Sequence, residues 1–197
     1  MPYYIRVLSP NTTVVPLNRL TGAVPEGSID LKTGTATDWE QILLRHSNGT
    51  EIALVERNVV ENGSLGSEEI DEFQEEIENC KPASAAEWLA SYLKRVRVIY
   101  RFQTLNGTEQ EGGWEIFGKL KSALWNELGG IFQADGEGFS NEDGYHILWQ
   151  FSEKVSGAWW MGVLLNNEWV HFEMDLGDTK QRTAFFEGKV PDGVKRA

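Results

Sequence analysis

The spacing of apolar side chains changes period twice along this chain, and each change marks a different kind of element. Residues 3–8 are compact and apolar enough to read as a short strand. From Ser9 to about Thr37 no period holds, and Pro10, Pro16 and Pro25 break the backbone. Irregular surface chain is expected there, with one short strand around Ile29–Leu31. Trp39–Arg45 and Glu51–Glu56 then flank Ser47-Asn48-Gly49-Thr50, and the Asn-Gly pair predicts a hairpin with a primed turn.

A helical period follows. Ile70, Phe73 and Ile77 recur three and four residues apart, with Ser67 as the expected cap and Pro82 as the stop. Ser84-Ala85-Ala86-Glu87 has the capping-box pattern. Ala85, Trp88, Leu89, Tyr92, Leu93, Val96, Ile99 and Tyr100 then keep the period to about Gln103. Alternation over Val96–Phe102 also fits a strand. One long helix is the expectation, because a helix entering a strand without a turn is sterically awkward. A third helix is predicted over Trp114–Leu128, stopped by Gly129-Gly130.

Beyond residue 130 the period becomes two. Strands are predicted over Ile131–Ala134, Tyr145–Phe151, Ala158–Leu165 and Trp169–Met174, with Asn166-Asn167 as a tight connection and a further extended piece near Thr183–Phe186. This order gives an α+β fold: an antiparallel sheet made of an N-terminal hairpin and a C-terminal β-meander, with about three helices packed mainly on one face. A single domain over residues 1–197 is expected, irregular over 9–37, helical over 65–128 and a β-meander over 130–187.

Composition sharpens this reading in two places. With 41% hydrophobic residues, 8 Trp, 9 Phe and 5 Tyr, the chain can build a core without disulfides or metal, and its one cysteine, Cys80, permits no intrachain bridge. The opening Met1-Pro2-Tyr3-Tyr4-Ile5-Arg6 lacks the pattern of an export signal, and no apolar run reaches the ~18 residues of a membrane span. A soluble, cytoplasmic protein is expected. The formal net charge of −12 disfavours nucleic acid and anionic membranes as partners. Residues 61–78 hold eight acidic side chains and no basic one, while Lys94, Arg95, Arg97 and Arg101 follow shortly after.

Two places are candidates for function. Glu68, Glu69, Asp71, Glu72, Glu75, Glu76 and Glu78 cover most of the circumference of the first helix, outside its narrow apolar stripe. Such a surface suits a basic protein partner, and toxin-neutralising immunity proteins are one instance of that physical type. The competing reading is a solvated face offset by Lys94, Arg97 and Arg101 on a neighbouring helix. The other candidate is the glycine-rich stretch Gln133–Gly144, whose Asp135, Glu137, Glu142 and Asp143 could bind a cation or act as acid and base, with His146 and Glu173 assisting. The default reading is a solvated hairpin loop with glycine turns, whose charges prevent edge pairing.

Other chemistry has less behind it. If the strands carrying them are neighbours, His146, His171 and Glu173 could form a metal site, although structural histidines are the default. His46 is expected at the surface. No nucleophile elbow or phosphate loop is present, no cofactor is implied, and Cys80 lies near carboxylates that should raise its pKa. Trp149, Trp159, Trp160 and Trp169 raise the possibility of an aromatic platform, though consecutive Trp159 and Trp160 must point to opposite faces of a strand. The absence of a strong catalytic motif favours a binding protein over an enzyme.

Overall fold

The computed structural model describes residues 3–197, and their packing divides the chain into two compact units, each discontinuous in sequence. One comprises the residues up to 68 together with 96–130; the other comprises 69–95 and 131–197. Among the described residues there are five α-helices and ten strands, with seven antiparallel strand pairs, an α+β protein. About three helices were expected.

The first unit contains β1 (Tyr4–Ser9), α1 (Leu17–Ala23), β2 (Gly27–Gly34), β3 (Trp39–His46), β4 (Glu51–Val59), β5 (Val98–Thr104) and α4 (Gly113–Leu128). Its strands lie in the order β2-β3-β4-β5-β1. Helix α4 packs on this sheet through Phe117, whose ring centroid is 5.5 Å from that of Phe102. Ile116, Leu120, Leu124 and Leu128 complete its buried face, the spacing the sequence predicts.

Three readings of this unit need correction. Residues 9–37 hold the strand expected around Ile29–Leu31, but it is longer and a helix precedes it. Pro16 opens α1, where its fixed φ and missing N–H cost nothing, and β2 runs for eight residues although most of them are exposed. A mostly polar edge strand has no periodic signal. The β3–β4 turn is not primed, because among its residues only Gly49 is left-handed, at φ +88°. Gly49 N–H donates to His46 O at 2.9 Å, and His46 N–H to Thr50 O at 2.9 Å, a wider loop closed by a glycine.

The long second helix is the largest correction. Helix α3 spans Ala83–Leu93, the chain turns through Lys94–Arg97, and Val98 starts β5. Along this run Val96 and Tyr100 satisfy both periods, with Ile99 extending the helical one and Val98 and Phe102 the alternation. Ladders on both edges of β5, to β4 and to β1, decide in favour of the strand, as does its β-branched content.

Helix α2 (Leu65–Ile77) begins in the first unit and runs into the second. Ser64, not Ser67, caps it: Ser64 Oγ accepts from Ser67 N–H at 3.2 Å and donates to Val59 O at 2.8 Å. The second unit also holds α3, β6 (Ile131–Ala134), β7 (Gly138–Ser140), β8 (Ala158–Leu165), β9 (Glu168–Asp175), α5 (Thr179–Phe186) and β10 (Lys195–Arg196). β6 pairs with β7, while β8, β9 and β10 form a separate ladder. Asn166 and Asn167, at φ +52° and +68°, make the tight β8–β9 connection predicted for them. Phe151, Met161, Val163, Phe172, Met174, Leu176 and Phe185 form a core within this unit.

Two expected strands are absent here. Residues 145–151 carry only single bridges, from His146 to Ser140 and to Met161. Ile147, Leu148 and Phe151 are nevertheless buried, so the apolar run reports core packing without ladder pairing. Thr183–Phe186 belongs to helix α5, whose cap Asp178 accepts from Lys180 N–H at 2.8 Å and Gln181 N–H at 3.1 Å.

Candidate functional site

The apolar stripe of α2 is buried as its spacing demands: Ile70, Phe73 and Ile77 are each no more than 6% exposed. Phe73 meets Phe139 edge-on at 5.3 Å. That anchoring turns the charged side outward, leaving Glu68, Asp71, Glu72, Glu75, Glu76 and Glu78 exposed and Glu69 half-buried. Among the described residues, Asp71, Glu72, Glu75, Glu76 and Glu78 take part in no ion pair.

Several carboxylates elsewhere find cations. Glu56 holds Arg101, whose Nε donates at 2.9 Å, and Asp30 and Glu51 share Arg45. Asp38 takes Arg57, and Glu26 takes Lys119 at 2.7 Å, which lowers the Glu26 pKa chiefly through that hydrogen bond. Arg101 stands on β5 with its charge directed to Glu56, and Arg97 Nη1 donates to Val96 O at 2.8 Å. The helix that was to align Lys94, Arg97 and Arg101 against the acidic face does not exist.

Beside α2 runs a cavity of about 250 Å³ lined by Gln74, Ile77, Glu78, Ala83, Ala86, Glu87 and Ala90. Its floor exists because α3 places alanine at 83, 86 and 90, the spacing that keeps side chains on one helix face. Sequence reading counted α3 for its large apolar residues and passed over these alanines. Cys80 lies just past the end of α2, its pKa raised by burial and by the Glu76 charge.

The glycine-rich stretch is not one site. Glu137 is half-buried, and its carbonyl accepts from His146 Nε2 at 2.7 Å. His146 is 4% exposed, packs 4.7 Å from Phe151, and burial pushes its pKa down to about 4. It is a neutral core residue. Asp135 is half-buried near the β6–β7 turn. Glu142 is exposed, and its charge adds to burial in raising the Tyr92 pKa. Glu173 Oε2 stands 3.9 Å from Lys195 Nζ.

Asp143 is drawn into a different cluster. Asn141, fully buried, accepts from Asp143 N–H at 3.1 Å and Tyr145 N–H at 2.9 Å. Its Nδ2 lies 3.0 Å from His171 Nε2, which stands 3.7 Å from Asp143 Oδ2. The His171 ring stacks on Tyr145 at 3.7 Å with a 4° interplanar angle. Asn141 and Tyr145 were not predicted; the Asn-Glu-Asp-Gly turn pattern was the available signal. Among the described residues no three of His, Cys, Asp and Glu are placed to hold a metal ion, and His146 is not with His171 and Glu173.

The other expectations resolve simply. His46 is buried rather than exposed, with Nε2 2.8 Å from Gly107 O. Trp159 and Trp160 are each about one third exposed on opposite faces of β8. Trp149 is packed by Phe151 and Phe186, and Trp169 by Trp88. No protein-family model, curated protein or solved structure matches this chain.

Proposed function

We propose that the protein is a non-catalytic binding protein whose α2 surface engages a basic protein partner. One observation carries this reading. Among the described residues, Asp71, Glu72, Glu75, Glu76 and Glu78 stand together without ion pairs, in a chain that pairs its carboxylates at Asp30, Asp38, Glu51 and Glu56. Like charges three and four residues apart on a helix repel one another, each close pair costing some tenths of a kcal/mol. A cationic partner relieves that repulsion on binding. The same field speeds encounter and confers strong salt dependence.

The test is isothermal titration with a lysine-rich peptide at low and moderate salt. Glu72→Lys with Glu76→Lys should abolish binding. Glu109→Lys with Glu111→Lys makes the same change of net charge at two other exposed carboxylates and should leave most of it. Equal loss in both variants would show that total charge, not α2, attracts the peptide.

A further inference from the structure

The cavity beside α2 specifies how a basic partner would sit there. Resting on the function proposed above, we infer that the α2–α3 groove is the seat of a basic amphipathic helix. On this inference the partner places an apolar side chain over the alanines and its lysines or arginines on the banks.

The floor is apolar. Ile77 is 1% and Ala86 7% exposed, and Ala83 and Ala90 carry the same face one turn either way. At about 250 Å³ the space falls below the roughly 300–1,000 Å³ usual for small-molecule sites, and fits one or two side chains of a protein. Both banks are acidic. Gln74 stands on α2, Glu78 in the turn that follows it and Glu87 on α3, and among the described residues neither glutamate takes part in an ion pair.

Charge and shape therefore agree on the occupant. Asp71 and Glu75, four apart, share one face of α2, and Glu78 follows in the turn beyond it and lines the groove, so the three form an acidic ridge that ends at the groove. Lysines at i and i+4 of a docked helix would match that ridge while a leucine between them enters the trough. This is helix-in-groove recognition, read through i, i+3 and i+4 anchors.

The test uses two peptides of identical Lys, Leu and Ala composition, one with leucines on a single helical face and one scrambled. Each is titrated by fluorescence anisotropy against the full chain. The amphipathic peptide should bind at least about tenfold more tightly. Ala90→Phe fills the trough without changing charge and should remove that difference, with folding checked by thermal melting. Glu78→Gln with Glu87→Gln, both at exposed positions, should weaken the amphipathic peptide more than the scrambled one. Equal affinity of the two peptides for the native chain would overturn the groove, as would undiminished preference in folded Ala90→Phe. If both peptides still bind in a salt-dependent way that Glu72→Lys with Glu76→Lys abolishes, the acidic surface stands and the groove alone is wrong.

Discussion

Asn141 holds His171 in one protonation state. Its Oδ1 accepts two backbone N–H groups, from Asp143 and Tyr145, which leaves only the Nδ2 donor to face His171 Nε2 at 3.0 Å. The imidazole nitrogen must therefore accept, so the ring is neutral with its proton on Nδ1. Burial lowers the His171 pKa, and the nearby Asp143 charge only partly opposes it.

A folded pKa below the unfolded value means that the unfolded chain binds the proton first as pH falls. The stability involved is complete above the unfolded pKa of about 6.5 and declines as pH drops toward the folded value. Asn141→Asp keeps the Oδ1 acceptor for the two backbone N–H donors and puts a carboxylate oxygen against Nε2. NMR titration of the imidazole should show His171 titrating below 6.5 in the native chain and above it in the variant.

His146 has the same sign and a larger effect. With its pKa pushed down to about 4, it should withhold up to about 3 kcal/mol of stability between pH 6.5 and 4. His146→Gln retains a donor for the Glu137 carbonyl but cannot titrate. Denaturant melts should show a flatter decline of stability across that window in the variant.

Two glycines of α4 should respond to alanine with opposite signs. A Cβ on Gly113 would stand 2.2 Å from Gly107 O and 2.5 Å from Thr108 O, whereas nothing lies within 4 Å of one on Gly118. Gly113→Ala should destabilise by about 1–3 kcal/mol, the range of overpacking. Gly118→Ala, in a helix interior, should stabilise by about 0.5–1 kcal/mol. Thermal melts of the two variants check both.

How far the fold was legible depended on whether a local period and the tertiary pairing agreed. They agreed for β8, β9 and α4, whose bounds the pattern located to within about a residue, and for the buried stripe of α2. They conflicted over residues 96–103, where one set of apolar positions satisfied helix and strand and only two-sided pairing in the sheet chose. Helix α1 has too few buried residues to show a period at all, and β2 was legible only around Ile29–Leu31 because most of its residues are exposed. At the candidate sites, charge along α2 was readable because it is local. The alanine-floored groove and the Asn141–His171 bond were not, because each joins residues on different elements.

The most direct measurement is a heteronuclear NMR titration of the full chain with the amphipathic Lys-Leu-Ala peptide at two salt concentrations. The expected result is a contiguous set of shifts at Asp71, Glu72, Glu75, Glu76 and Glu78, extending to Ala86 and Ala90 and shrinking as salt rises. Shifts concentrated instead between Asp135 and Tyr145, or spread evenly over all exposed carboxylates, would contradict the assignment of α2 as the binding surface.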